Sequence, residues 1–234
     1  MYCSDFEIKY KVTMILAAAG SGKRMKLGYP KQFLSVEGKP LFIFPLETAQ
    51  KNSIIDEIIV TTNSENVDKV KEFCAEYGIT KVQTVVSGGK ERQNSIYNAL
   101  LCDKNSDIIL VQDGVRPFLK DRYISECCKI VADEKCGAVV GVKVKDTIKK
   151  VDGNMEVVST PPREELVAVH TPQVFSGDII KRAYKKAEEE NFIGTDDSSL
   201  VERMGHKVRI VLGDYDNVKI TTQEDLKFLN QEGK

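Results

Sequence analysis

The stretch of this sequence best suited to chemistry is a loop of small residues followed by cations. Residues 12–18 are an apolar run that predicts a strand, and residues 17–22 are all alanine, glycine or serine. Lys23, Arg24 and Lys31 come next. Small residues let the backbone approach a ligand with its N–H groups free to donate, and cations placed after such a loop suit a polyphosphate. The stretch therefore predicts a phosphate-binding turn.

Two common phosphate loops do not fit this stretch. A Walker A loop needs Ser or Thr after Gly-Lys, and Arg24 stands there. A dinucleotide-binding loop needs a third glycine, and Met25 stands in its place. The pattern that remains resembles the signature loop of nucleotidyltransferases that act on sugar phosphates. The alternative is an ordinary strand-to-helix turn with solvated lysines.

Further chemically capable residues follow other predicted strands. A glycine pair at residues 88–89 follows one strand, and Asp113 and Arg116 follow the next. Ligands of parallel α/β sheets bind beyond the carboxyl ends of the strands, so we expect these residues to meet Gly20 at one edge of the sheet. Lys219 lies among apolar residues near the end of the chain, where a cation without a partner is costly.

The elements that must position these residues alternate between strand-like and helix-like stretches. Near-continuous apolar strands separated by helices predict an α/β fold: a Rossmann-like, mostly parallel twisted sheet with helices on both faces. The predicted strands are residues 12–18, 57–62, 81–86, 107–112, 137–144 and 207–212. The predicted helices are residues 64–77, 91–101, 121–135, 178–190 and 195–204, and a last one that begins at Thr221 or Thr222.

Residues 145–171 interrupt this alternation. A polar turn at Gly153 and Asn154 separates two strand-like runs, which predicts a β-hairpin. We expect the hairpin to project from the core as an arm that embraces a second subunit. No linker or internal repeat divides the rest, so residues 1–234 are predicted to form a single domain that carries the arm.

Composition excludes several classes of function. A formal net charge of −1 provides no basic field for a nucleic-acid backbone. No apolar run is long enough to cross a membrane, and the charged residues 1–11 do not resemble a signal peptide, so we expect a cytoplasmic protein. The six cysteines form no C-x-x-C pair, which favours reduced thiols over a zinc site.

Taken in order, these motifs resemble the 2-C-methyl-D-erythritol 4-phosphate cytidylyltransferase family of isoprenoid synthesis. They also resemble its close relative, the ribitol-5-phosphate cytidylyltransferases. The resemblance runs from about Met14 to the last predicted helix. The triple alanine at residues 17–19 and the Arg-Met at residues 24–25 are more typical of the first family, whereas the Asp-x-x-Arg-Pro-Phe run at residues 113–118 fits either.

The resemblance implies a role for each polar group. The catalytic cations that neutralise the nucleotide phosphates would be Arg24, Lys31 and Lys219. The residues that hold the nucleotide would be Ala18, Ala19, Gly20, Gly89, Ser95 and Asp113. Asp113 would also lie near a Mg²⁺ ion that is held largely by the phosphates. The residues that hold the sugar phosphate would be Arg116, Thr147, Arg163 and Thr171.

The same resemblance implies a homodimer, in which a neighbouring subunit's arm donates Thr147 and Arg163. The implied reaction is transfer of CMP from CTP to a sugar-alcohol phosphate with loss of pyrophosphate. Lys90 stands where the family usually has Asp, which leaves a catalytically silent nucleotide-binding protein as one alternative. A dehydrogenase is a weaker alternative, because the third glycine of a dinucleotide loop is missing.

Overall fold

The computed structural model describes residues 10–20 and 29–230. The strands are β1 (Val12–Ala17), β2 (Ser35–Val36), β3 (Lys39–Pro40), β4 (Glu57–Thr62), β5 (Val82–Ser87), β6 (Ile108–Asp113), β7 (Gly137–Lys143), β8 (Lys150–Val151), β9 (Val157–Ser159), β10 (Val167–Ser176) and β11 (Val208–Leu212). The α-helices are α1 (Ile43–Lys51), α2 (Val67–Glu76), α3 (Arg92–Cys102), α4 (Asp121–Glu134), α5 (Gly177–Glu189) and α6 (Asp197–Arg203).

Seven strands form the central sheet, in the order β11, β7, β10, β6, β1, β4, β5. Strand β10 is antiparallel to both of its neighbours, and the other four pairings in this sheet are parallel. Ala17 pairs with Thr61 on one side and with Asp113 on the other, so the carboxyl ends of β1, β4 and β6 lie level at one edge. The predicted α/β class with a mostly parallel sheet is confirmed.

Alternating side chains along β1 pack against helices on opposite faces of the sheet. Val12, Met14 and Leu16 belong to a core built with α1, α2 and α4, whereas Ile15 belongs to a core built with α3, α5 and α6. Successive residues of a strand point to opposite faces, so a strand covered on both sides is mostly apolar. The predicted placement of helices on both faces is confirmed.

The hairpin is present, but it is shorter than predicted. Strands β8 and β9 pair antiparallel, and the Asp152 carboxylate accepts the N–H groups of Asn154 and Glu156 in the turn between them. Residues 167–171 were predicted to belong to the arm, and this is wrong, because they begin β10. Pro172 has no N–H to donate to a neighbouring strand, and the register of β10 against β7 shifts between Val169 and Gln173.

The last predicted helix is present close to its predicted start. Gln223–Asn230 forms a 3₁₀-helix. The Asp225 carboxylate accepts the N–H groups of Thr221 and Thr222 just before it. Within the described ranges, no helix combines the length and apolar character needed to cross a membrane.

Candidate active site

A cleft of about 540 Å³ opens where β1, β4 and β6 end. The described residues that line it are Ala17, Ala18, Ala19, Gly20, Lys31, Gln32, Thr61, Asn63, Gly89, Lys90, Glu91, Arg92, Ser95, Asp113, Val115 and Lys219. Most of the nucleotide-side residues predicted from sequence are therefore brought together in one place. Arg24, the remaining predicted cation, lies outside the described residues.

Residues 18–20, directly after β1, line one side of the cleft. The Ala18 N–H donates to the Thr61 carbonyl at 3.0 Å, which extends the pairing with β4 one residue beyond β1. The Ala17 carbonyl accepts the Gly114 N–H at 2.9 Å. These bonds fix where the chain leaves the sheet. Gly20 is exposed, and among the described residues no atom beyond its chain neighbours lies within 4 Å of the position a Cβ would take.

The loop between β5 and α3 forms the facing wall. The Ser95 hydroxyl accepts the Gly89 N–H at 3.0 Å and donates to the Glu91 carbonyl at 3.0 Å. Glu91 and Asn94 form a reciprocal capping box that begins α3. The Ser95 hydroxyl thus holds this loop in shape, and reading of a cytosine edge by Gly89 and Ser95 stays a prediction.

Asp113 lies at the floor of the cleft among three cations. Its Oδ2 is 2.8 Å from Lys219 Nζ and 3.6 Å from Arg116 Nε, and its Oδ1 is 3.1 Å from Arg92 Nε. Burial alone would raise the pKa of this carboxyl, but attraction to Arg92, Lys219 and Arg116 holds the pKa well below its usual value. Asp113 is therefore a permanently charged anchor for the cations around it.

Arg116 and Thr171 lie behind this floor rather than in the wall of the cleft. The Thr171 hydroxyl accepts the Asp113 N–H at 3.1 Å, and the Thr171 carbonyl accepts a hydrogen bond from Asn217 at 3.0 Å. Arg116 donates through Nη1 to the Asn217 carbonyl at 2.6 Å. These bonds tie the segment that carries Lys219 to β6 and β10. Contact of either residue with a sugar phosphate stays a prediction.

The arm residues Thr147 and Arg163 are exposed and do not line the cleft of their own chain. Arg163 donates through Nη1 to the Lys145 carbonyl at 3.0 Å, across the base of the arm. The structure thus separates these two residues from the others that were predicted to form the site.

The sequence analysis did not predict that a buried carboxylate, Asp197, holds Arg92. Arg92 donates through Nη1 and Nη2 to the two carboxylate oxygens of Asp197, at 3.0 and 2.8 Å, and the Tyr184 hydroxyl also donates to Asp197. Asp196 caps α6, as a carboxylate at a helix start should, but Asp197 faces inward. The only hint in the sequence is that Arg92 precedes Ser95 by one helical turn.

The carboxylates of the cleft could help to hold a metal ion that arrives with a phosphate ligand. Within the described residues no three His, Cys, Asp or Glu side chains form a potential metal cluster. Asp113 and the exposed Glu91 are the carboxylates among the lining residues. Mg²⁺ is commonly held by one or two carboxylates together with substrate phosphates and water. The donor set therefore fits a phosphate-held Mg²⁺, and it does not fit an all-protein cage.

Comparison with known proteins assigns the chain to a family. The family model of 2-C-methyl-D-erythritol 4-phosphate cytidylyltransferase matches residues 12–231. Proteins of that name from Fusobacterium nucleatum and Alkaliphilus metalliredigens are 54% and 47% identical, covering 98% and 92% of this chain and 100% and 90% of their own. The crystal structure of 4-diphosphocytidyl-2C-methyl-D-erythritol synthase from Anaerococcus prevotii has a TM-score of 0.83 at 33% identity, covering 94% of this chain and 95% of its own. The chain therefore belongs to the 2-C-methyl-D-erythritol 4-phosphate cytidylyltransferase family.

Proposed function

We propose that this protein transfers CMP from CTP to 2-C-methyl-D-erythritol 4-phosphate and releases pyrophosphate, as a step of isoprenoid synthesis. Membership of the family supports the substrates. The observation that carries the proposal is the cleft itself, in which Lys31, Arg92 and Lys219 gather beside small-residue loops at the carboxyl ends of the strands. Such an arrangement suits a nucleoside triphosphate.

The reaction needs positioning and charge more than proton transfer. A phosphate monoester oxygen of the acceptor is already an anion, so it can attack the α-phosphorus of CTP without a general base. The obstacles are repulsion between two polyanions and the charge that develops on the transferring phosphoryl group. Lys219 would act on the α-phosphate and Lys31 on the triphosphate, because preorganised cations stabilise charge that develops in the transition state.

The other cleft residues would hold CTP in line for this attack. The backbone of Ala18, Ala19 and Gly20 would face the nucleotide, and Gly89 and Ser95 would face the base. Asp113 would keep Lys219 in place through their 2.8 Å contact until the phosphates bind. Correct alignment of the reacting atoms can supply a large part of the rate enhancement.

We also propose that Mg²⁺ takes part, held mainly by the phosphates of CTP. Asp113 is the buried carboxylate that could reach it from the floor of the cleft. When bound, the ion would neutralise phosphate charge and stabilise the leaving pyrophosphate. The protein residues would share that task, since Lys31 and Lys219 line the same cleft.

The proposed working form is a homodimer joined through the arm. Thr147 and Arg163 are exposed and lie outside the cleft of their own chain, so they remain available to a neighbouring one. The arm also carries exposed apolar side chains, at Met155, Val157 and Val158. Apolar side chains clustered on a surface often mark an interface. In this assembly Arg163, Thr147, Arg116 and Thr171 would hold the acceptor phosphate.

We place the activity in the cytoplasm. CTP is a cytoplasmic metabolite, and a CTP-dependent step requires access to it. The cysteines within the described residues, Cys74, Cys102, Cys127, Cys128 and Cys136, form no disulfide. Free thiols suit a reducing compartment.

The test is pyrophosphate release from CTP and Mg²⁺, run in parallel with 2-C-methyl-D-erythritol 4-phosphate and with ribitol 5-phosphate. Release with the first acceptor alone supports the proposal. Release with ribitol 5-phosphate alone would assign the protein to the relative family. If neither acceptor reacts while calorimetry shows CTP binding, the site is a silent nucleotide site and the proposal is wrong.

A further inference from the structure

Arg92 is held between two carboxylates that belong to different parts of the fold. Its Nη1 and Nη2 contact the two oxygens of Asp197 at 3.0 and 2.8 Å. Its Nε contacts Asp113 Oδ1 at 3.1 Å. A guanidinium prefers to meet a carboxylate through two parallel hydrogen bonds, and here Asp197 takes that pair of bonds. Asp113 receives a single hydrogen bond from the same side chain.

Asp197 itself cannot touch a ligand in the cleft. It is fully buried at the start of α6 and does not line the cleft. The hydroxyl of the buried Tyr184 donates to its Oδ1, and the Tyr184 ring stacks on Tyr97 with centroids 6.3 Å apart. A buried charge needs such partners, and these partners leave the Asp197 carboxylate one orientation. Asp197 is therefore a rigid support for the Arg92 guanidinium.

Loss of charge at Asp197 would change how Arg92 meets Asp113. The two terminal nitrogens would no longer have an anion to pair with, and Asp113 is the other carboxylate that Arg92 contacts. A bidentate pair between Arg92 and Asp113 would engage Oδ2 as well as Oδ1. Oδ2 is the oxygen that Lys219 contacts at 2.8 Å. The two cations would then compete for one oxygen.

We propose that Asp197 is a positioning residue for the reaction: by holding the terminal nitrogens of Arg92, it leaves Asp113 Oδ2 to Lys219. This inference rests on the proposed function, in which Lys219 acts on the α-phosphate of CTP. Asp197 orients Arg92, Arg92 then makes a single contact with Asp113, and Asp113 holds Lys219. Tyr184 supports it by orienting the carboxylate.

The kinetic test compares Asp197→Asn with a matched buried ion pair elsewhere. Asp103 is buried and contacts Lys181 at 2.6 Å, away from the cleft, so Asp103→Asn is the control. We expect Asp197→Asn to lower kcat/KM about tenfold or more, since a small displacement of a catalytic group is costly. Asp103→Asn should lower the Tm while kcat/KM stays at the wild-type value.

A double-mutant cycle with Arg92→Lys separates positioning from a general structural defect. A lysine at position 92 lacks the two terminal nitrogens that Asp197 holds in the wild type. Asp197→Asn should therefore lower kcat/KM by less than about twofold in the Arg92→Lys background. If the effects of the two substitutions on kcat/KM multiply in the double variant, the inference is wrong. It is also wrong if a folded Asp197→Asn protein keeps the wild-type kcat/KM. If the Asp197→Asn variant does not fold, Tyr184→Phe is the test. We expect Tyr184→Phe to lower kcat/KM about threefold, and to have no effect in the Arg92→Lys background. An unchanged kcat/KM in Tyr184→Phe overturns the inference.

A crystal structure of the Asp197→Asn variant tests the geometry without substrate. We expect both terminal nitrogens of Arg92 on Asp113, with Lys219 Nζ displaced from Oδ2. An Arg92 that keeps its wild-type position would overturn the inference even if the enzyme is a cytidylyltransferase. Conversely, a wild-type protein that does not turn over CTP would overturn the proposed function while this structural result still stands.

Discussion

At the scale of single residues, the charge of the cleft is arranged around Asp113. Three cations contact or approach its two oxygens, and they keep its pKa well below the usual value despite burial. Without the carboxylate, Lys219 and two guanidiniums would repel one another. Asp113 therefore lets the protein concentrate positive charge before a polyanion arrives, and the bound phosphates can then take over part of its pairing.

Removing the Lys219 ammonium should damage catalysis far more than folding. Lys219→Met keeps most of the stem and leaves Asp113 paired with Arg92 and Arg116. We expect kcat to fall about 100- to 1,000-fold, by analogy with loss of a preorganised oxyanion donor. Pyrophosphate release measures the effect, and Lys227→Met is the control because Lys227 is exposed and does not line the cleft. Equal activity of the two variants would contradict the role of Lys219.

His170 should make the protein less stable in mild acid. Burial, with help from the nearby Arg116 charge, lowers its pKa from 6.5 to about 4. Between these values the unfolded chain binds a proton that the folded chain does not, so stability is full above about pH 6.5 and falls as the pH drops towards 4. His170→Gln removes this titration. The Tm of the wild type should fall more steeply than that of the variant over this range, and parallel curves would contradict the assignment.

At the scale of elements, sequence reasoning located the parallel core and missed β10. Strands β1, β4, β5, β6 and β7 are short strand-like runs, and β4, β5 and β6 are each followed by a helix; such local patterns are readable. Strand β10 is exposed in its first half, buried in its second and interrupted by Pro172. Proline inside a run usually argues against a strand, so only the sheet to which β10 adds could reveal it.

The candidate site likewise contains some residues that the sequence could predict and some contacts that it could not. Gly20, Gly89 and Asp113 follow strands that the sequence predicts, and the sequence alone indicated that they would meet. The contact between Arg92 and Asp197 joins residues 105 positions apart. Its formation depends on how α3, α5 and α6 pack together, which no local spacing encodes. The long-range partners of the site therefore became visible only in the folded chain.

The close packing of two loops makes Gly88 a sensitive position. A Cβ on Gly88 would lie 2.5 Å from the Ala19 Cβ and 2.8 Å from the Ser95 hydroxyl oxygen, so the two walls of the cleft would have to move apart. We expect Gly88→Ala to weaken CTP binding by about tenfold, because a small misplacement of binding groups is costly. Calorimetry with CTP measures this. Gly153→Ala, at the open tip of the arm, should bind CTP like the wild type.

At the scale of the whole molecule, the net charge is small, and positive charge is concentrated in the cleft. The chain has a formal net charge of −1. Among the described residues that line the cleft, four are cations (Lys31, Lys90, Arg92 and Lys219) and two are carboxylates (Glu91 and Asp113). A cleft with an excess of one sign of charge concentrates ligands of the other sign. A nearly neutral protein can thus attract polyanions to one place.

The arm gives the molecule an apolar surface that its own core does not cover. Met155, Val157 and Val158 are 77%, 60% and 59% exposed, unlike the buried aliphatic side chains of the central strands β1, β4 and β6. Arg163 lies on the same excursion of the chain, bonded to the Lys145 carbonyl, and it does not line the cleft. If the arm reaches a neighbouring subunit, each cleft would be completed by residues of two chains.

Subunit complementation tests this arrangement. Arg163→Ala and Lys219→Met should each be nearly inactive as separate homodimers. When the two variants are co-expressed and purified through different tags, one cleft of the heterodimer contains Lys219 from one chain and Arg163 from the other, so pyrophosphate release should return. The control pair is Lys31→Ala with Lys219→Met, whose defects lie within single clefts and cannot complement each other. Recovery no greater than in the control pair, or light scattering that shows only monomers, would mean that Arg163 does not act across an interface.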